Sequence, residues 1–134
     1  MALNKTKYLR KKVLDHFFGR VEYSFPANVY AALFTADPTD EGLLTNELDE
    51  DGYARIEISA LMADAVESTG SITNANDIEF GPAAEDWPEI THIGIMDAST
   101  AGNMLYFGAA ATSRVVDNGD DFPIRPGQLV IRER

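Results

Sequence analysis

The chain has 134 residues, 45% of them hydrophobic and 25% charged, which suits one folded domain (1–134) around one core and excludes a disordered chain. It contains no cysteine, so a disulfide framework, thiolate zinc sites and cysteine nucleophiles are excluded together. The net charge of −11 divides unevenly: residues 1–20 hold six basic side chains against one acid, Asp15, a net of +5, while the other 114 residues hold five arginines against 21 acids, a net of −16.

The first expected element is a basic helix over residues 4–18. Leu9, Val13 and Phe17 recur every four residues, flanked by Leu14 and Phe18, and together form one apolar stripe. Asn4 or Thr6 can cap its start, and Gly19 stands where a left-handed residue ends a helix. Residues 20–134 form the acidic β-domain. Pro26 forces an extended entry to the apolar run Val29–Thr35, a buried strand, and the acidic, turn-rich segment Ala36–Gly52 reads as a long surface loop. Arg55–Ser59 alternates strictly, so Ile56 and Ile58 face inward. A polar connection, Ser68–Asn76, precedes a short strand around Ile78–Phe80, and Trp87-Pro88 falls in a loop. The runs Ile90–Met96 and Met104–Ala110, separated by the small-residue segment Asp97–Asn103, predict an antiparallel hairpin. Ser113–Val116 and Gln128–Arg132 add strands after turns at Asp117–Asp121 and Pro126-Gly127. Seven or eight short strands at this spacing indicate an all-β fold, mainly an antiparallel sandwich or open barrel, with one N-terminal helix. Ile56, Ile58, Ile93, Ile95, Leu105 and Phe107 are the expected core, and Phe107→Ala is expected to cost about 3–5 kcal/mol.

Candidate chemistry is sparse. His16 and His92 read as structural, because no nucleophile elbow or acid stands at diagnostic spacing to either. Glu47, Asp49, Asp51 and Gly52 imitate the start of a calcium loop, but position 12 falls on Ile58 where a bidentate glutamate is required. Asp117, Asp120 and Asp121 are explained by a tight turn. The aromatics Tyr23, Tyr30, Tyr53, Trp87 and Tyr106 could bind sugar, although most lie in or beside strands where core packing is the default. No catalytic residue, cofactor or metal is expected. An acidic body repels phosphates and anionic lipid, so no nucleic-acid or membrane partner is expected either. No apolar run approaches the ~20 residues of a membrane span, and the basic N-terminus lacks the apolar segment of a secretory signal.

Several runs carry a resemblance: Val29–Gly42, Gly52–Arg55, Ile72–Ile95 with Phe80, Trp87 and Thr91–Ile95, Gly102–Gly108, and the helix end Asp15–Gly19. Together they resemble a family of small virion-associated structural proteins of tailed bacteriophages, often labelled tail-fibre-like. The resemblance covers nearly the whole chain and rests on turns and packed strands, so it implies no active site. It implies a non-enzymatic component of the virion, assembled in the host cytoplasm. A small acidic domain with a basic element suggests capsid decoration, with the major capsid protein or another virion protein as partner and several copies on the particle. A tail or tail-fibre component is the alternative, and a carbohydrate-active virion hydrolase is a third reading. Lys5, Lys7, Arg10, Lys11 and Lys12 are the expected partner-binding residues, with the apolar stripe of the helix packed on the domain.

Overall fold

Two apolar runs form the centre of the fold. In a computed structural model that describes residues 1–133, Trp87–Met96 and Met104–Val116 pair antiparallel as a long hairpin. The six elements before it are β1 (Ala2–Lys5), α1 (Lys7–Phe17), β2 (Tyr30–Phe34), β3 (Ile56–Glu57), β4 (Ser71–Thr73) and β5 (Ile78–Phe80), and the hairpin's first strand is β6. The second hairpin strand is β7, followed by β8 (Phe122–Ile124) and β9 (Val130–Arg132). Asp97 closes the hairpin loop by accepting the Asn103 N–H on Oδ1 at 2.7 Å. Ala101 and Gly102 take positive φ of 51° and 75° there, the turn geometry that small residues permit.

The strands make one curled, mixed sheet in the order β3-β2-β6-β7-β1-β9-β4, with β5 and β8 as a separate two-stranded ribbon. The fold is all-β with one N-terminal helix, as the apolar runs indicate. One pairing is parallel: β1 lies beside β9 with Ala2 opposite Val130 and Leu3 opposite Ile131. The main core lies between one face of the sheet and the β5–β8 ribbon, and includes Leu3, Leu33, Ile93, Ile95, Phe80 and Trp87. A smaller cluster on the opposite face holds Phe34, Met96 and Met104.

Of the expected core, Ile58, Ile93, Ile95 and Leu105 are buried, and Ile56 is half-buried against the main cluster. Phe107 differs. It stands opposite Gly94 on β6 and packs, half-buried, on the smaller cluster, because its neighbour Tyr106 takes the Ile95 register on the core face. The Trp87-Pro88 pair is not a loop but the start of β6; Trp87 is 1% exposed and its Nε1 donates to the Asp51 carbonyl at 2.9 Å.

The helix begins at Lys7, later than its apolar and basic pattern suggests, because Ala2–Lys5 is drawn into the sheet. Leu3 is fully buried and both edges of the strand are paired, to β7 and to β9, so tertiary pairing outweighs local helix preference. Thr6 is the N-cap. Its Oγ1 accepts the Leu9 N–H at 3.3 Å and donates to the Met104 carbonyl at 2.7 Å, which fastens the first helical turn to β7. Gly19, at φ 70°, follows the last turn as expected.

Candidate attachment surface

The five basic residues expected to reach a partner lie at the start of α1 and on β1. Lys5 belongs to β1; its side chain is 7% exposed and paired with Glu133. Lys7 pairs with Glu41 and lies 3.8 Å from Asp40, and the hydrogen bond it donates to Glu41 raises its pKa above the ordinary lysine value. Arg10 Nη2 meets Asp40 Oδ2 at 2.8 Å. Lys11 meets Asp15 at 2.5 Å one turn along the helix, and Lys12 lies over the Tyr8 ring at 5.5 Å. Four of the five cations therefore face carboxylates of their own chain, and the loop Pro38–Leu43 supplies two of those acids.

The apolar stripe is where the structure departs most from the expectation that it packs on the domain. Only Leu9 is buried; Leu14 is 59% exposed, Phe17 76% and Phe18 77%. The reason is the Thr6 anchor, which holds the N-terminal turn against β7 and leaves the C-terminal turn without a sheet beneath it. Val21 and Phe25, in the segment that returns from the helix, are exposed as well. This segment folds back on the helix end: the Tyr23 N–H donates to His16 Nδ1 at 3.1 Å, and the Phe25 ring stands edge-on to His16 and Tyr23 at 6.0 and 5.3 Å. His16 is thereby engaged as an acceptor in a loop contact, a structural role. Between the helix end, this segment and β7 lies an apolar cleft of about 430 Å³ whose lining includes Val13, Phe17, Tyr23, Phe25, Leu105 and Tyr106. Burial, with Glu133 alongside, pushes the Tyr106 hydroxyl up to about 12.

Of the residues weighed for metal or catalytic work, Glu47 and the two histidines have side-chain partners of their own. Glu47 receives Arg55 Nε and Nη2 at 2.7 Å each and the Tyr53 hydroxyl at 2.7 Å. Arg55 Nη1 also donates to the carbonyls of Ala98 and Ala101 at 2.8 Å, which ties the acidic loop to the hairpin turn. The Asp51 N–H donates to Glu85 at 2.8 Å, and Asp117 and Asp120 close a turn through the Asp120 N–H at 2.9 Å. His92 Nδ1 lies 2.8 Å from Thr91 Oγ1, and its Nε2 is 4.0 Å from Asp37. Among the described residues no group of three or more histidine, aspartate or glutamate side chains is arranged to hold a metal ion. Nor is any helix of the described residues long and apolar enough to cross a membrane.

The aromatic surface at the end of α1 escaped the sequence reading because periodicity finds an apolar stripe without saying which end the sheet will cover. Comparison with known proteins adds the decisive likeness: a family model described as podophage GP4 fiber I protein gp80 matches residues 4–132. No curated protein matches the chain.

Proposed function

The chain belongs to the podophage fibre I protein family, and on that premise we propose that it is a non-enzymatic structural component of the tail or tail fibre of a phage particle. Membership makes it a virion structural protein and places it in the virion. The observation that carries the finer reading is the match to a fibre family over residues 4–132. It favours the tail-fibre alternative over capsid decoration, which rested on an uneven charge whose basic end is now seen to meet acids of the same chain. The engagement of Glu47 by Arg55 and Tyr53 supports a structural role for the carboxylate that most resembled a ligand. Partners are other virion proteins.

Copy number and position in purified virions test the reading. Quantitative mass spectrometry is expected to find far fewer copies than of the major capsid protein, and immunogold labelling is expected to mark the tail. Label spread over the shell, at a copy number comparable to the capsid protein, would overturn it.

A further inference from the structure

Projecting aromatic surface and apolar hollow meet at the end of α1. Phe17, Phe18 and Phe25 are each at least 70% exposed, with exposed Leu14 and Val21 beside them. At on the order of 200 Å² per phenylalanine, the surface reaches on the order of 600 Å², the upper end for the largest patch on a monomer. Next to it lie two apolar hollows of about 430 Å³ each, one along the helix and one beside β4. Tyr106 and Glu133 line both, so the hollows join into one groove that runs from Phe17 and Phe25 past Tyr106 to Val66 and Ile72.

We propose that this groove receives an acidic, amphipathic segment of a different virion protein, its apolar side chains in the hollows and its carboxylates against Lys12 and Arg20. The inference rests on the fibre reading only in taking the partner from the same particle. A groove admits a single helix or extended segment anchored by a few apolar side chains. Charge decides the sign of that segment. Residues 8–26 hold four basic side chains against two acidic ones, while the rest of the chain holds seven against 20, a net of −13. Arg10 and Lys11 are answered by Asp40 and Asp15, whereas Lys12 and Arg20 have no carboxylate within ion-pair distance among the described residues. With the exposed Glu22 set against those two cations, the helix end is still positive. An anionic lipid surface fits less well, because it would also face the acidic remainder of the chain, which it repels, while a narrow segment meets the groove alone.

Crosslinking within the particle is the test. With benzoylphenylalanine in place of Phe18, irradiated virions are expected to yield a crosslink to a different virion protein, at a segment that carries both carboxylates and apolar side chains. A synthetic peptide of that segment is expected to bind the purified chain, and to bind Phe17→Ser at least tenfold more weakly, as loss of a central aromatic contact does. Phe17 is 76% exposed, so circular dichroism and melting of that variant are expected to stay near wild type. Arg20→Glu and added salt are expected to weaken the binding as well, and Val115→Ser, at an exposed apolar site on β7, to change nothing. A crosslink confined to other copies of the chain, or none in virions, would overturn the proposal. Equal binding of the peptide to folded Phe17→Ser and Arg20→Glu would do the same. Flotation of the purified chain with phosphatidylglycerol vesicles, lost in Phe17→Ser, would overturn it in favour of a lipid surface. A crosslink to an acidic segment of the major capsid protein would support the groove's occupant and count against the tail placement, so the two readings fail separately.

Discussion

The Arg55 side chain is 4% exposed, yet all of its charge is answered: two bonds to Glu47 and two to backbone carbonyls of the hairpin loop. Removing one member of such a pair leaves the other buried and uncompensated, so Arg55→Ala is expected to cost about 3–5 kcal/mol in a denaturant titration. A loss below about 1 kcal/mol would mean that the loop swings out and hydrates Glu47. Burial differences make a second comparison. Phe80, fully buried in the main core, is expected to lose about 3–5 kcal/mol on truncation to alanine, and Phe107→Ala markedly less, since Phe107 is half-buried on the other face. Tyrosines give the pH dependence. Tyr106 sits near 12 and Tyr53 higher still, both raised chiefly by burial above the ordinary value near 10. Folded pKa values above the unfolded one mean that the stabilisation is complete below pH 10 and declines as pH rises through 12. An ultraviolet titration is therefore expected to show two of the five tyrosines ionising only as the protein unfolds.

At the scale of elements, β1 lies so close to β7 that only glycine fits at position 108. A Cβ there would stand 2.6 Å from the Ala2 carbonyl oxygen and 3.2 Å from Leu3 Cα, backbone atoms that cannot turn aside. Gly108→Ala is expected to cost about 1–3 kcal/mol and to expose the Asn4 and Lys5 amides to hydrogen exchange. Unchanged protection of those amides would show that β1 tolerates displacement. The same strand marks the limit of sequence reading. Strands β2, β6 and β7 were legible because each is an apolar run bounded by turn formers. Ala2-Leu3-Asn4-Lys5 has one large apolar residue and abuts a helical pattern, so nothing local separates it from α1. Phe122-Pro123-Ile124 hid behind its proline, which pairing with Glu79 in a two-stranded ribbon accommodates. The period of the helix was readable and its orientation was not, because a cap bond from Thr6 to Met104, 98 residues away, decides which turn meets the sheet.

For the molecule as a whole, charge works against compactness. Asp49, Glu50, Asp51, Glu85, Asp86 and the Asp117–Asp121 turn converge on one end, joined by the bonds from Asp51 to Glu85 and from Ala83 to the Asp120 carbonyl. Screening this repulsion stabilises the fold, whereas the exposed pairs of Lys7, Arg10 and Lys11 contribute little to be screened away. The melting temperature is accordingly expected to rise as salt increases from about 0.01 M, where the Debye length is ~30 Å, to 0.15 M, where it is ~8 Å. A fall in calorimetry would show that surface pairs outweigh the acidic end. Of the candidate surface, composition revealed that the N-terminal segment differs from the body, but its neutralisation by Asp40 and Glu41 depends on a loop 30 residues away, which no local pattern registers.

The position of β1 also has a consequence for synthesis on the ribosome. Residues 2–5 emerge ahead of the other strands described, yet the two strands that enclose them, 104–116 and 130–132, emerge only after β2 to β6. At roughly 5–20 residues per second the wait is on the order of ten seconds, during which Leu3 has neither of its strand partners. The sheet therefore cannot grow vectorially from β1; it closes only when β9 reaches back to β1. Nascent chains arrested before β9 leaves the exit tunnel should stay open to protease, and resistance should appear abruptly once Val130–Arg132 is free to slot between β1 and β4.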